Sequence, residues 1–131
     1  MEEDEHNFSG ETFVPYEQQL EDIAEKTAIP IKLVHMPIRD IDVPTVEGMV
    51  AILDEIDRAI RQNPRVYLHC WGGRGRTGTA VGCYLARHGM GVGEAALDLL
   101  STLRQNDPIS HLSSPETEIQ AQFVRSWVEG I

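Results

Sequence analysis

The chain has 131 residues, 41% of them hydrophobic and 24% charged, with two cysteines. That length suits one domain around one modest core, and the composition excludes a disordered, collagenous or disulfide-stapled chain. Eleven Lys+Arg stand against 21 Asp+Glu, and a formal charge of -10 argues against nucleic-acid or anionic-membrane binding through general electrostatics.

The charge is unevenly spread. Residues 1–25 hold nine acids and no Lys or Arg, while residues 26–131 hold twelve acids and eleven bases. Between Arg58 and Gly93 lie six arginines (Arg58, Arg61, Arg65, Arg74, Arg76, Arg87) and no acid. An acidic protein with a basic middle still has the means to bind an anion there. The start, MEEDEHNFSG, has neither the basic nor the apolar region of a signal peptide. Its longest nearly apolar stretch, Thr79 to Ala86, is too short to span a bilayer, so no membrane insertion is expected. A reducing cytoplasm follows as the expected compartment, with Cys70 available as a thiol.

In chain order, residues 1–14 read as an acidic arm or an edge strand. Tyr16, Leu20, Ile23 and Ala24 recur at helical spacing after Pro15, predicting a helix over about 16–28 that Pro30 stops. Ile31 to Met36 is short and rich in branched apolar residues, as a buried strand would be. Residues 37–44 hold two prolines and two aspartates and form a loop. Thr45 caps a helix with the stripe Val46, Met49, Val50, Leu53, Ile56 and Ile60, ended by Asn63-Pro64. Val66 to His69 predicts a second strand, running into the glycine-rich CWGGRGRTG. Strand, helix and strand in this order form a right-handed parallel unit. A largely apolar helix over Thr77–His88 should be central, followed by helices over Val92–Gln105 and Pro115–Glu129.

The glycine-rich run carries the chemistry. A cysteine ends a strand, a loop of Trp71, Gly72, Gly73, Arg74 and Gly75 follows, and a helix opens near Arg76. Glycines let successive N–H groups turn inward as an anion nest, and the helix N-terminus adds its unpaired N–H groups and dipole. The Arg76 fork matches two phosphate oxygens. Cys70 at the floor of this field should ionise below the ordinary thiol value, and Thr77 can donate its hydroxyl to the sulfur. No Gly-Lys-Ser/Thr follows, which excludes the nucleotide-binding loop. No metal-ligand cluster appears in the chain, and neither a metal nor another cofactor is expected.

His69-Cys70, five residues, then Arg76-Thr77-Gly78 resembles the signature of the cysteine-dependent protein phosphatases. With Pro-Ile-x-Asp upstream, the loop is most similar to dual-specificity-like enzymes, near the cyclin-dependent-kinase-associated phosphatases and compact bacterial relatives. The resemblance implies an α/β fold: a small, mostly parallel central sheet flanked by helices, with strand, phosphate loop and helix in series and an abbreviated N-terminal part. Residues 15–131 would then be a single catalytic domain. It implies a phosphomonoester hydrolase in which Cys70 forms a cysteinyl-phosphate, Arg76 and the loop amides hold the phosphate, and an upstream aspartate protonates the leaving group. Asp40, with Pro44 four residues on, matches the family's acid; Asp42 is the competitor, and either could instead cap the helix near Thr45. His69 would orient the loop. Gln120 resembles the glutamine that positions the hydrolytic water in some members, while the residues alone give a solvated helix face.

The expected substrates are phosphotyrosine or phosphoserine/threonine in proteins. Arg74 leaves open an inositol phosphate, through a second phosphate, unless it pairs within its own domain. A catalytically silent phosphate-binding module is the remaining alternative. Cys83, Phe123 and Trp127 read as core. With only two clear strands, the sheet would need an edge strand from His6–Val14, a longer parent domain or a partner chain, and an exposed sheet edge would favour a homodimer.

Overall fold

The computed structural model describes residues 1–2, 5–62 and 65–131. Five helices form: α1 (Glu17–Thr27), α2 (Val46–Gln62), α3 (Gly75–Arg87), α4 (Glu94–Leu103) and α5 (Glu118–Arg125). The chain divides into two compact units, Met1–Pro37 and Ile38–Ile131.

In the first unit, an isolated antiparallel bridge joins His6 to Thr12. Asn7 organises the turn between them, its Oδ1 accepting from the N–H groups of Ser9 at 2.8 Å and Glu11 at 3.0 Å. α1 ends where Ala28 turns left-handed, at φ 54°. None of its residues is buried.

In the second unit, α3 packs against α2, α4 and α5. Its residues Ala80, Cys83, Leu85 and Ala86 form the centre of the core, with Met49, Ile52 and Leu53 from α2, Ala96 and Leu100 from α4, and Val124 from α5. The α2 stripe is narrower than its sequence suggests, because Val46 and Ile60 at its ends are exposed. The Thr45 cap forms, its Oγ1 accepting from Gly48 N–H at 3.0 Å. The Asn63-Pro64 stop lies outside the described residues. Arg87 of α3 pairs with Asp54 and Asp57 of α2, and His88 Nε2 lies 3.0 Å from Asp57 Oδ1. No described helix is long and apolar enough to cross a membrane.

The parallel sheet expected from the sequence is corrected by this structure. Among the described residues there is no sheet, and the His6–Thr12 bridge is the one β-pairing. Ile31 to Met36 and Val66 to His69 join no ladder. Branched apolar runs favour extended backbone, but a strand also needs neighbours, and two short segments fall below the three strands that make a sheet self-supporting. Their side chains are correspondingly open to solvent, Tyr67 at 88% and Ile31 at 44% exposure. Among these residues there is therefore no sheet edge that a second chain could extend.

Gly82 sets the α3–α5 distance and Gly78 the approach of the segment before α5. A Cβ on Gly82 would stand 2.7 Å from Val124 Cγ1, and one on Gly78 would collide with Ser114 Oγ. Gly82→Ala should cost about 1–3 kcal/mol through overpacking, and adding Val124→Ala should recover part of it. Urea denaturation of the two single variants and the double variant measures this coupling. A Gly82→Ala protein as stable as wild type would contradict the close approach.

Candidate active site

Cys70 and the start of α3 are joined by residues 71–74. The turn requires a left-handed residue, and Gly73 supplies it at φ 67° without a side-chain penalty. α3 then begins at Gly75, one residue before Arg76, and its first turn is locked by Gly78 N–H to Arg74 O at 3.1 Å and Thr79 Oγ1 to Gly75 O at 2.9 Å.

Cys70 is buried, and burial is the strongest single influence on its thiol, opposing ionisation. The Thr77 hydroxyl, the backbone N–H groups of Thr77 and Gly73, and the Arg76 charge act the other way. Together they hold Cys70 below the ordinary thiol value. The Thr77 hydroxyl is buried without a partner of regular hydrogen-bond geometry, so it acts on the sulfur as a rotor that can turn towards a thiolate rather than as a fixed bond. Cys83, fully buried in α3, is pushed up to about 12 by burial. The two cysteines are both free thiols, and the same fold shifts them in opposite directions.

Arg76 is 5% exposed and reaches the loop of residues 38–42. Its Nη1 donates to Ile38 O at 3.2 Å and its Nη2 meets Asp40 Oδ1 at 2.9 Å. Asp40 is 57% exposed, so the pair couples a buried cation to an accessible carboxylate. Asp42 faces a different set of partners: its Oδ1 accepts from Val43 N–H at 2.8 Å and its carbonyl accepts from Gln120 Nε2 at 3.2 Å. Neither aspartate is the Thr45-type cap of α2.

The other residues singled out by sequence are distributed unequally. His69 Nδ1 lies 3.0 Å from Cys70 O, and its ring stacks on Tyr67. Trp71 is partly exposed. Arg74 turns away from the loop mouth: its Nε donates to Ser113 O at 3.0 Å and its Nη1 lies 3.4 Å from Glu116 Oε1. Gln120 is fully buried rather than on a solvated helix face. Phe123 and Trp127 pack against each other with ring centroids 5.5 Å apart, and Trp127 is 4% exposed.

The basic middle of the chain is thus largely neutralised in pairs. Arg58 binds Glu55, Arg87 binds Asp54 and Asp57, and Arg74 binds Glu116. Counting charge by position overlooks the acids that helix packing brings alongside.

Three supporting residues escaped the sequence reading. Ser114 Oγ donates to Arg74 O at 2.9 Å, Glu116 holds Arg74, and Thr117 caps α5. The last had a visible signal, because Thr117-x-x-Gln120 is a capping box before an amphipathic run. Among the described residues no cluster of three or more His, Cys, Asp or Glu is arranged to hold a metal ion.

Residues 11–90 match the model of a family described as a polymorphic toxin system DSP-PTPase phosphatase. That span contains Asp40 and the whole run from His69 to Gly78. Two relatives from Methanocaldococcus jannaschii are known only as uncharacterized proteins. MJECL20 is 29% identical over 108 residues, covering 76% of this chain and 63% of its own length. MJ0215 is 37% identical over 60 residues, covering 46% of this chain and 38% of its own length. The chain therefore spans less than two thirds of either relative.

The contrast between the thiols gives a direct test. Iodoacetamide at neutral pH should alkylate Cys70 and leave Cys83 untouched until the protein unfolds, as peptide mass mapping would show. Arg76→Ala should slow alkylation of Cys70. Equal labelling of both cysteines in the folded protein would contradict the assigned environments.

Proposed function

Because the chain belongs to the DSP-PTPase phosphatase family of polymorphic toxin systems, we propose that it hydrolyses phosphomonoesters through a cysteinyl-phosphate on Cys70, acting on phosphorylated tyrosine, serine or threonine in proteins. Its finer likeness, to the dual-specificity enzymes near the cyclin-dependent-kinase-associated group, belongs to the same proposal. One arrangement carries the reading: a thiol held below its ordinary value by Thr77, Gly73 and Arg76 despite burial, with Arg76 also grasping the loop that bears Asp40.

In the first step the Cys70 thiolate attacks phosphorus and the ester P–O bond breaks. Asp40 gives its proton to the departing oxygen, leaving an alcohol or phenol and S-phosphocysteine. In the second step water attacks phosphorus, the S–P bond breaks, and the water's proton passes to Asp40. Inorganic phosphate leaves and the thiolate is restored. Arg76 and the loop amides hold the non-bridging oxygens throughout, where charge is spread in the transition state. Gly72 and Gly75 belong to the same cradle, with Trp71 at its rim.

At rest, Asp40 occupies the Arg76 fork. A phosphate dianion competes for that fork and frees the Asp40 carboxyl to face the departing oxygen. Substrate binding thereby prepares the acid. Arg74, engaged by Ser113 and Glu116, favours a single phosphate over an inositol phosphate with several. The lowered thiol favours turnover over a silent phosphate-binding module.

Hydrolysis of p-nitrophenyl phosphate should be abolished in Cys70→Ser. Asp40→Asn should lose about 10²–10⁴-fold on phenyl phosphate, more than Asp42→Asn. For wild type, kcat/KM should rise with pH through a limb below the ordinary thiol value of 9.0. Wild type no faster than Cys70→Ser would end the phosphatase reading. A larger loss in Asp42→Asn would move the acid to Asp42.

A further inference from the structure

The turn carrying Asp40 is held in a conformation its own residues disfavour. Ile41 lies at φ 54°, a left-handed backbone that β-branched residues rarely adopt and that costs roughly 1–3 kcal/mol. Its side chain is 62% exposed, so burial does not hold it there. Such strain persists only where surrounding contacts over-determine the backbone.

Those contacts come from two helices. From α3, Arg76 takes Ile38 O and Asp40. From the N-terminus of α5, Gln120 Nε2 donates to Asp42 O at 3.2 Å, and Thr117 Oγ1 donates to Ile41 O at 3.4 Å. The α5 contacts grip the two carbonyls that follow Asp40 in the chain. Gln120 is fully buried, and its Oε1 accepts from Glu116 N–H and Thr117 N–H, both at 3.1 Å. Both ends of its amide are committed, so it is poorly placed to offer either end to a water. It also lies against Gly75, whose added Cβ would stand 3.1 Å from the Gln120 amide. One side chain thus spans from the start of α3, beside the glycine loop, to the turn that carries the acid.

We propose that Gln120, assisted by Thr117, is a positioning residue that locks the strained Asp40-Ile41-Asp42 turn so that Asp40 reaches the leaving group. The proposal rests on the phosphatase reading and adds to it a residue beyond the 11–90 family match, with a role in leaving-group departure rather than in water attack. Its effect is confined to substrates that need an acid. An activated ester such as 2,4-dinitrophenyl phosphate departs without a proton, whereas phenyl phosphate does not.

The experiment compares kcat/KM on these two esters for wild type, Gln120→Met and Thr117→Val, alongside the alkylation rate of Cys70. First, wild type against Cys70→Ser on the activated ester tests the underlying reading. If wild type is no faster, that reading fails and takes the proposal with it, before any Gln120 comparison is made. With wild type active, Gln120→Met should lose about 10²-fold more on phenyl phosphate than on the activated ester, the scale of a misplaced catalytic group. Thr117→Val should show the same selectivity to a smaller degree, and Cys70 alkylation should stay near wild type in both. Equal losses on the two esters, with slowed alkylation, would reduce Gln120 to a fold residue and overturn the proposal. An unchanged kcat/KM with accumulated phosphoenzyme would assign it to water attack and overturn the proposal equally.

Discussion

Arg76 is the residue through which the site is connected. It lies almost wholly buried at the start of α3, and its guanidinium joins the Ile38 carbonyl, the Asp40 carboxylate and the field at Cys70. A cation so enclosed needs matched acceptors, since an unpaired buried charge costs several kcal/mol. Here the acceptors belong to the loop of residues 38–42. Placing α3 therefore also places the Asp40 loop, and the same charge adds to the Thr77 and Gly73 hydrogen bonds that hold the thiol below its ordinary value against burial.

The rest of the unit serves that placement. α2 anchors the far end of α3 through Asp54 and Asp57 on Arg87. α5 packs on the glycine face of α3, and its capped N-terminus reaches the loop of residues 38–42. Arg125 ties α5 in turn to Glu94 at the start of α4, at 2.7 Å. Charges that seemed available for ligands are used instead to join helices, and Arg76 retains an exposed carboxylate as its partner.

Legibility from sequence followed the range of the interaction. The helices were readable because capping residues and apolar period are local, as Thr45 and the α2 stripe illustrate. The glycine loop was readable for the same reason: cysteine, glycines, arginine and threonine lie within ten consecutive residues. The lack of a sheet was not, because branched residues at 31–36 and 66–69 signal extended backbone without specifying a pairing partner. Arg74 and Gln120 were hidden for a related cause. Their environments are made by Glu116 and by Asp42, 42 and 78 residues away in sequence, and nothing in the local pattern encodes such a meeting.

The glycine face of α3 carries a consequence for the entropy of the site. At Gly78 and Gly82 the backbone of α3 is met directly by the Ser114 and Val124 side chains, with no side chain of its own in between. The α3–α5 spacing at Gly82 is then set by the Val124 methyls against the helix backbone. Freedom lost in fixing the start of α3 is surrendered when the chain folds, which is the condition for a preorganised site.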